Sequence, residues 1–421
     1  MSSPTAREVG LSTRGRCLLA GGAATAACAV LLDERDLLRI GAFAALLPLL
    51  ALLLVLGSRR ALRADRTLVP PRLSVDRAAA VELRVSAGTL LGALLGTLRL
   101  TDGVPDAAGP DPDAPPRFLV SRIQVRDGLR LSYPLRPAQR GVHRIGPLHA
   151  RATDPLGLAE VSRDLAGADR LVVVPRVVSL RGLPAAHGGG EGTAGAAPAQ
   201  QGKGVSDVLV RPYRHGDELR RVHWRSTARH DELMVRLEER PWRGGTTVLL
   251  DRRDAAHRGH GPGASIEFAI SLAASIGVHL HGRGEPVTLV TEDGAELTDR
   301  GPGGGSDALL DALAAVRPSA QRELTGLPGR PETGLIAVLG ALVPGDLEVL
   351  VAGRAGGGLA VLLDAASWAP GGGTAPDPAD VPAAASALRR AGWLVAVAAA
   401  GASPAVAWAE LTRTDRAAGV R

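Results

Sequence analysis

The chain is divided by the stretch VRPYRHGDELRRVHWRSTARHDELMVRLEERPW, residues Val210–Trp242. This stretch is dense in charged residues of both signs. Before it lie two long apolar segments, a series of short alternating segments and a linker rich in Gly and Ala. After it, short apolar runs alternate with helical patterns. The two sides therefore predict different classes of structure.

On the C-terminal side, residues 244–402 predict an α/β domain. Buried strands are expected at 246–251, 286–294, 334–342, 358–365 and 392–399, and helices at 265–281, 306–316, 345–354 and 380–391. Continuous apolar strands that alternate with helices are typical of a parallel, doubly wound sheet. Residues 403–421 are predicted to be a C-terminal tail.

Sheets of this kind bind ligands at the carboxyl ends of their strands. At these ends the sequence places Asp251, Glu292, Asp293, Gly340 and Asp364. They are the first candidates for a binding site in this domain.

On the N-terminal side, residues 1–16 are polar and predict a cytoplasmic tail, whereas Cys17–Leu32 and Leu37–Gly57 are apolar. The second segment reaches the length of about 20 residues that a membrane-spanning helix needs. A cleaved signal peptide is the alternative for the first. A second apolar segment follows after Asp33–Asp36, which favours a transmembrane hairpin over residues 17–58.

The charges around these segments predict the orientation of the hairpin. Arg14 and Arg16 precede it, and further arginines follow it at positions 59, 60, 63 and 66. The positive-inside rule then places both ends of the hairpin in the cytoplasm. We expect a multi-pass cell-membrane protein with its soluble bulk in the cytoplasm. Cys17 and Cys28, the two cysteines, lie in the first apolar segment, which argues against a disulfide-stapled secreted fold.

Residues 67–180 predict a small β-sandwich-like module. Short strands are expected within 73–87, 117–125, 129–135 and 171–178, with Pro, Asp and Gly clusters between them. RGVHRIGPL (Arg140–Leu148) and DPLGL (Asp154–Leu158) are interpreted as turns. Residues 181–204 predict a flexible linker.

Residues 205–243 predict an extended start at Arg211–Arg214, a helix capped by Asp217 that runs to about Arg229, and a strand at Glu232–Leu237. Two interpretations stay open. The segment is a salt-bridged brace against the α/β domain, or it is an exposed surface of Arg and aromatic residues for an acidic partner or phosphate groups.

The same segment resembles the signature of the bacterial "domain of unknown function 58" proteins, membrane proteins that are encoded beside MoxR-type AAA+ ATPases and transglutaminase-like proteins. The hairpin, RGVHRIGPL, DPLGL and the α/β domain are also similar to features of that family. The resemblance covers nearly the whole chain. The signature positions, expected to bind a partner or to stabilise the structure, are Arg211, Tyr213, Gly216, Asp217, Leu219, Arg220, Arg221, Trp224, Ala228, Arg229, Leu233, Val235 and Arg236.

The resemblance implies that the α/β domain is similar to von Willebrand factor type A domains, which often hold a divalent metal through Asp-x-Ser-x-Ser after the first strand. Here the sequence reads Asp251-Arg252-Arg253-Asp254-Ala255. Both serines are missing and an arginine would lie beside the metal. The position at Asp251 and Asp254 is thus degenerate, and neither a metal nor another cofactor is expected.

Motifs of several enzyme classes are missing from the sequence. It has no phosphate-binding loop, no His-Glu-x-x-His and no Gly-x-Ser-x-Gly. His257 and His260 are expected to be solvated in a Gly-rich loop. We therefore predict a membrane-anchored, non-enzymatic adaptor that works with a MoxR-type AAA+ ATPase in envelope-related or protein-assembly processes. A transglutaminase-like membrane protein is a further partner that the resemblance implies.

Two alternatives remain. One is an enzyme of unrecognised type that acts on envelope precursors. The other is phosphate or nucleic-acid binding through the Arg-rich segment, which we do not expect because acids are interspersed there. The pI of 10.3 is weak evidence for nucleic-acid binding. Lys203 is the only lysine, and the abundance of Arg, Ala and Gly is typical of a high-GC genome.

Overall fold

A computed structural model describes residues 8–58, 61–88, 95–113, 115–121, 128–183, 210–212, 234–236, 245–297, 305–325, 334–354, 357–369 and 381–418. These ranges form a helical pair, a β-module and an α/β domain. Most of the predicted linker and of the signature segment, including the helix expected from Asp217, lie outside them.

The helical pair consists of α1 (Thr13–Leu32) and α2 (Arg35–Ser58). Both are long and apolar enough to cross a membrane. At a rise of about 1.5 Å per residue, α1 spans roughly 30 Å and α2 roughly 36 Å. The helices meet at two glycines: a Cβ on Gly22 would lie 2.6 Å from the Ala45 nitrogen, and one on Gly41 would lie 2.6 Å from the Ala26 nitrogen. Small residues at such contacts are typical of helix pairs in membranes.

Residues before α1 are built into the β-module. Strand β1 (Glu8–Leu11) pairs antiparallel with β10 (Ala159–Ala166), with Glu8 opposite Ser162. The prediction of a polar tail over residues 1–16 was therefore wrong for 8–11, and α1 begins four residues before the predicted Cys17. Because β10 follows α2 in the chain, this pairing holds both ends of the helical pair on the same side.

The β-module otherwise contains β2 (Leu62–Val69), β3 (Arg72–Ser74), β4 (Ala79–Ala87), β5 (Leu98–Asp102), β6 (Arg117–Val120), β7 (Leu129–Leu135), β8 (Gly141–Ile145), β9 (Leu148–Thr153) and β11 (Asp169–Val174). Its sheets have the orders β1-β10-β9-β5-β6, β3-β11-β8 and β2-β4-β7. Alternating side chains point inward, as in β4, and fill one core that also takes Val55 of α2. The predicted two-sheet sandwich stays a prediction.

One turn prediction in this module was wrong and one was right. RGVHRIGPL contains strand β8 and the first residue of β9, since His143, Ile145 and Leu148 point into the interior. DPLGL is a turn, as its Pro and Gly predicted.

The α/β domain contains β14 (Thr246–Leu250), α3 (Ser265–His281), β15 (Val287–Thr291), α4 (Ser306–Ala315), β16 (Gly334–Leu339), α5 (Pro344–Ala352), β17 (Leu359–Leu363), α6 (Val381–Arg390), β18 (Leu394–Ala398) and α7 (Pro404–Ala418). All five strands are parallel, in the order β15-β14-β16-β17-β18. The predicted doubly wound α/β sheet is confirmed. The predicted tail from residue 403 was wrong, because α7 packs Ala407, Trp408 and Leu411 into the core.

The β-module and the α/β domain touch through two arginines of the module. Arg72 donates from Nε to Asp311 at 2.7 Å. Arg140 donates from Nε to the Leu313 carbonyl at 3.1 Å and forms an ion pair with Glu267. Arg72 therefore contacts α4, and Arg140 contacts both α4 and α3.

Candidate functional site

The candidate site lies where β14 and β16 end. In a parallel sheet of this order, the connections leave β14 and β16 toward opposite faces, and ligands bind in the crevice at that switch point. Asp251 follows β14 directly, and Gly340 follows β16. A Cβ at Gly340 would clash with the Ala256 carbonyl, so no acidic side chain fits at that position.

The side chain of Arg253 fills this crevice and is only 2% exposed. Its Nε and Nη2 donate to the two carboxylate oxygens of Asp251 at 2.9 and 2.8 Å. Its Nη1 donates to both oxygens of Asp346, at 3.0 and 2.9 Å. Burial alone would lower the pKa of Arg253, but the hydrogen bonds and charges of the two carboxylates outweigh it and raise the pKa. The guanidinium is therefore a permanent positive charge.

The residues of this crevice do not fit a divalent metal. The Asp251 carboxylate also accepts from the Gly340 nitrogen at 3.2 Å. The Asp346 carboxylate accepts from the nitrogens of Leu324 and Val343, both at 3.0 Å. Their oxygens are thus committed to N–H donors, whereas a hard cation needs several free oxygen ligands. Asp254, the other predicted acid, is exposed on the following turn.

His257 lies against the same crevice, and the prediction that it is solvated was wrong. It is buried, with Nε2 2.8 Å from the Asp251 carbonyl oxygen and Nδ1 3.0 Å from Ser265 Oγ. Since a carbonyl only accepts, Nε2 carries the proton of the neutral ring. Burial is the main cause of a lowered pKa for His257. His260 is exposed, as predicted.

A second ion cluster adjoins the first at the end of β15. Arg252 donates from Nη2 to Asp293 at 2.8 Å, and its Nε lies 3.3 Å from a carboxylate oxygen of Glu292. The Glu292 side chain is fully buried, and its Oε1 has no hydrogen-bond partner within the described ranges. Burial raises the pKa of Asp293, but a hydrogen bond from Thr291 Oγ1, one from a backbone amide and the charge of Arg252 outweigh it and lower that pKa.

The two clusters give this edge of the sheet more carboxylates than guanidinium groups. Its arginines are held by acids of this chain, and no side chain described above is a free nucleophile. The arrangement suits recognition by shape and charge better than covalent chemistry.

Comparison with known proteins identifies a family match that includes these residues. Residues 209–342 match the family described as "Protein of unknown function DUF58". This match supports the assignment of residues 209–342 to the DUF58 family. The matched range begins in the signature segment and ends just after β16, so it contains Asp251, Arg253 and Gly340.

The chain is also similar to the "Uncharacterized protein YeaD" of Bacillus subtilis (strain 168). The two are 28% identical over 148 residues, which is 35% of each chain. The chain thus spans about a third of the length of the relative that it matches.

Only the two edges of the DUF58 signature are described. Val210–Pro212 forms β12 and Met234–Arg236 forms β13, and they pair antiparallel with Arg211 opposite Val235. This confirms the extended start and the later strand. The other signature positions lie outside the described residues: Tyr213, Gly216, Asp217, Leu219, Arg220, Arg221, Trp224, Ala228, Arg229 and Leu233.

A further polar group lies outside the DUF58 range, on the β-module. Ser162 Oγ is 2.8 Å from His149 Nε2, and His149 Nδ1 is 3.1 Å from Asp164. This is the hydrogen-bond order of a nucleophile, a base and an orienting acid. Sequence reasoning missed it because the three residues meet only through the register of β9 and β10, which places His149 opposite Asp164.

A groove of about 590 Å³ lies at the junction of the β-module and the α/β domain. Its walls include Phe268 and Trp368, whose ring centroids are 5.6 Å apart, and the residues Asp76 and Arg176. Ligand sites are common at domain junctions. The groove is separate from the crevice that Arg253 fills.

Proposed function

We propose that this chain is a membrane-anchored, non-enzymatic scaffold that presents the α/β domain and the segment Val210–Trp242 to a protein partner. The observation that carries this proposal is the continuous linkage between the membrane helices and the α/β domain. Strand β1 joins the helical pair to the β-module, and Arg72 and Arg140 join the module to the α/β domain. A force or displacement at one end would therefore be transmitted to the other.

The membrane part of the proposal rests on exposed apolar side chains. Both helices of the pair expose large hydrophobic residues, among them Leu31, Ile40, Phe43 and Leu53. An exposed apolar surface of this extent is unfavourable in water and favourable in lipid. We infer a multi-pass protein of the cell membrane, with residues 17–58 in the bilayer and the soluble bulk in the cytoplasm.

The α/β domain is proposed to be von Willebrand factor type A-like. Its parallel order and the aspartate directly after the first strand support this assignment. Since Arg253 neutralises Asp251 and Asp346, the domain would recognise its partner without a metal. The acidic clusters at the strand ends would favour basic groups on the partner.

The proposed partner is a MoxR-type AAA+ ATPase, on the strength of the family resemblance. The test is capture of the purified ATPase by the full-length protein in detergent. The variant is Arg220→Ala/Arg221→Ala in the signature segment. The matched control is Arg84→Ala/Arg130→Ala, which removes an exposed cross-strand arginine pair from the β-module.

We expect the signature variant to lose at least about tenfold in affinity, which corresponds to roughly 1.4 kcal/mol, and the control to bind as the wild type does. Equal binding by a folded signature variant would remove the motif from the interface. Failure of the wild-type protein to bind the ATPase would overturn the proposed partner.

An enzyme is the second candidate function, and the Ser162–His149–Asp164 group is the observation that favours it. The test is covalent labelling of Ser162 by a fluorophosphonate, with Ser162→Ala and His149→Ala as variants and Ser132→Ala as control. Labelling that both variants abolish would support the enzyme. We expect no labelling, because the side chains of His149 and Asp164 are 33% and 46% exposed, so water competes for their hydrogen bonds.

A further inference from the structure

We propose that the turn Asp154–Leu158 of the β-module touches the surface of the lipid bilayer, with Leu156 among the headgroups. The inference rests on the proposed membrane anchoring by α1 and α2. It assigns a second membrane contact, made by a loop of the soluble module.

The turn lies directly against the first turn of α1. The Ser12 nitrogen donates to the Leu158 carbonyl at 2.8 Å, and Ser12 Oγ donates to the Gly157 carbonyl at 2.7 Å. A Cβ at Gly15 would clash with the Leu158 carbonyl. The turn is therefore fixed at the depth of Gly15 along the helix.

That depth is the polar boundary of the bilayer. The apolar run of α1 begins at Cys17, and at about 1.5 Å per residue Gly15 lies roughly 3 Å before it. Arg14 and Arg16 flank Gly15 and are exposed. Arginines at the ends of a spanning helix extend to the interface, so the first turn of α1 and the loop beside it share the headgroup region.

The shape of the turn presents Leu156 outward. The buried carboxylate of Asp154 accepts from the Leu156 nitrogen at 2.8 Å and from the Ala159 nitrogen at 2.6 Å. The Gly157 nitrogen closes the turn on the Asp154 carbonyl at 3.1 Å. Leu158 is buried, whereas Leu156 is 60% exposed. A leucine held outward in a rigid turn at this depth would bury its side chain in the interface.

The experiment places an environment-sensitive fluorophore on this turn. In a Cys17→Ala/Cys28→Ala background, Leu156→Cys is labelled with NBD in the full-length protein and reconstituted into phosphatidylcholine and phosphatidylglycerol vesicles. Lipids that carry a doxyl quencher near the headgroup or deep in the acyl chain then report its depth. Two labels serve as controls: Val351→Cys on the exposed surface of α5, and Phe43→Cys in the middle of α2.

We expect shallow doxyl lipids to quench the label at position 156 at least twofold more than deep ones, and the label at 351 to stay unquenched. The label at position 43 should be quenched most by deep doxyl lipids. If position 43 is quenched and 156 is not, the surface contact is overturned while the membrane anchor stands. If position 43 is also unquenched, the anchor itself fails.

Discussion

Arg140 donates from Nη2 to the carbonyl oxygen of Val316 at 2.9 Å, across the boundary between the β-module and the α/β domain. Val316 and Leu313, which accepts from Nε of the same side chain, lie at the C-terminal end of α4. Carbonyl groups there lack the amide of a following helical turn and carry partial negative charge. A residue of one domain thus caps a helix of the other.

Arg140→Ala should loosen this junction. The lost hydrogen bonds come from a charged donor that is nearly buried, so we expect a destabilisation of about 2 kcal/mol. Urea unfolding of the full-length protein, followed by tryptophan fluorescence, measures it. Arg144→Ala, an exposed arginine on strand β8 directly after Arg140, is the matched control and should change little. Equal effects of the two variants would show that the capping bonds contribute nothing specific.

Arg253→Ala should destabilise the folded protein more than Arg140→Ala does. It leaves Asp251 and Asp346 buried without their counter-charge, and breaking a buried ion pair in this way costs about 3–5 kcal/mol. Arg252→Ala, at a side chain that is a quarter exposed, should cost less. Thermal unfolding measures both. The wild-type melting temperature should be the same with Mg²⁺, with Mn²⁺ and with EDTA, and a metal-dependent increase would contradict the assignment of Arg253 as the internal cation.

His257 should make stability depend on pH. Its pKa in the folded protein lies below the ordinary value of 6.5 because the ring is buried. The unfolded chain therefore binds the proton more readily, and stability falls as pH decreases from 6.5 toward the folded pKa. Above pH 6.5 the contribution is fully present. Chemical unfolding at a series of pH values should show this decline in the wild type and a smaller one in His257→Asn. His260→Asn, at an exposed ring, should keep the wild-type decline.

The periodicity of the sequence predicted the α/β sheet well because its central strands are buried on both faces. Every residue of β14 is buried, so the strand stands out as a continuous apolar run. The β-module was harder to predict. Strand β8 lies between Gly and Pro residues that also suit turns, and β1 pairs with a strand far along the chain. Helix α7 was missed because Trp408 and Leu411 are the only large residues that the described part of the helix buries in the core, and the third, Ala407, is too small to extend the apolar pattern.

The candidate site was predicted in position but not in chemistry. Strand order places Asp251, Glu292 and Asp293 at one edge, and the sequence indicated this. The role of Arg253 depends on Asp346, 93 positions away, which only the fold brings to it. The burial of His257 against Ser265 also depends on the fold, so the Gly-rich sequence around His257 did not predict it.

The last prediction concerns the side of the membrane on which the β-module lies. The pairing of β1 with β10 requires both ends of the helical pair to be on one side. The proposed cytoplasmic placement of this side rests on positive charges. Arg66 is not one of them, because its side chain is buried in ion pairs with Asp102 and Asp169. Arg14, Arg16 and Arg63 are exposed and still favour the cytoplasm.

A site-specific protease tests this orientation in intact and opened cells. One recognition site is inserted within residues 187–204, and a matched control site is inserted between Asp33 and Glu34, where α1 and α2 connect. In intact cells we expect cleavage only at the control site, and in opened cells at both. Cleavage within 187–204 from outside would overturn the cytoplasmic placement, and with it a cytoplasmic ATPase as partner. Protection of both sites until the cells are opened would overturn the membrane-spanning hairpin.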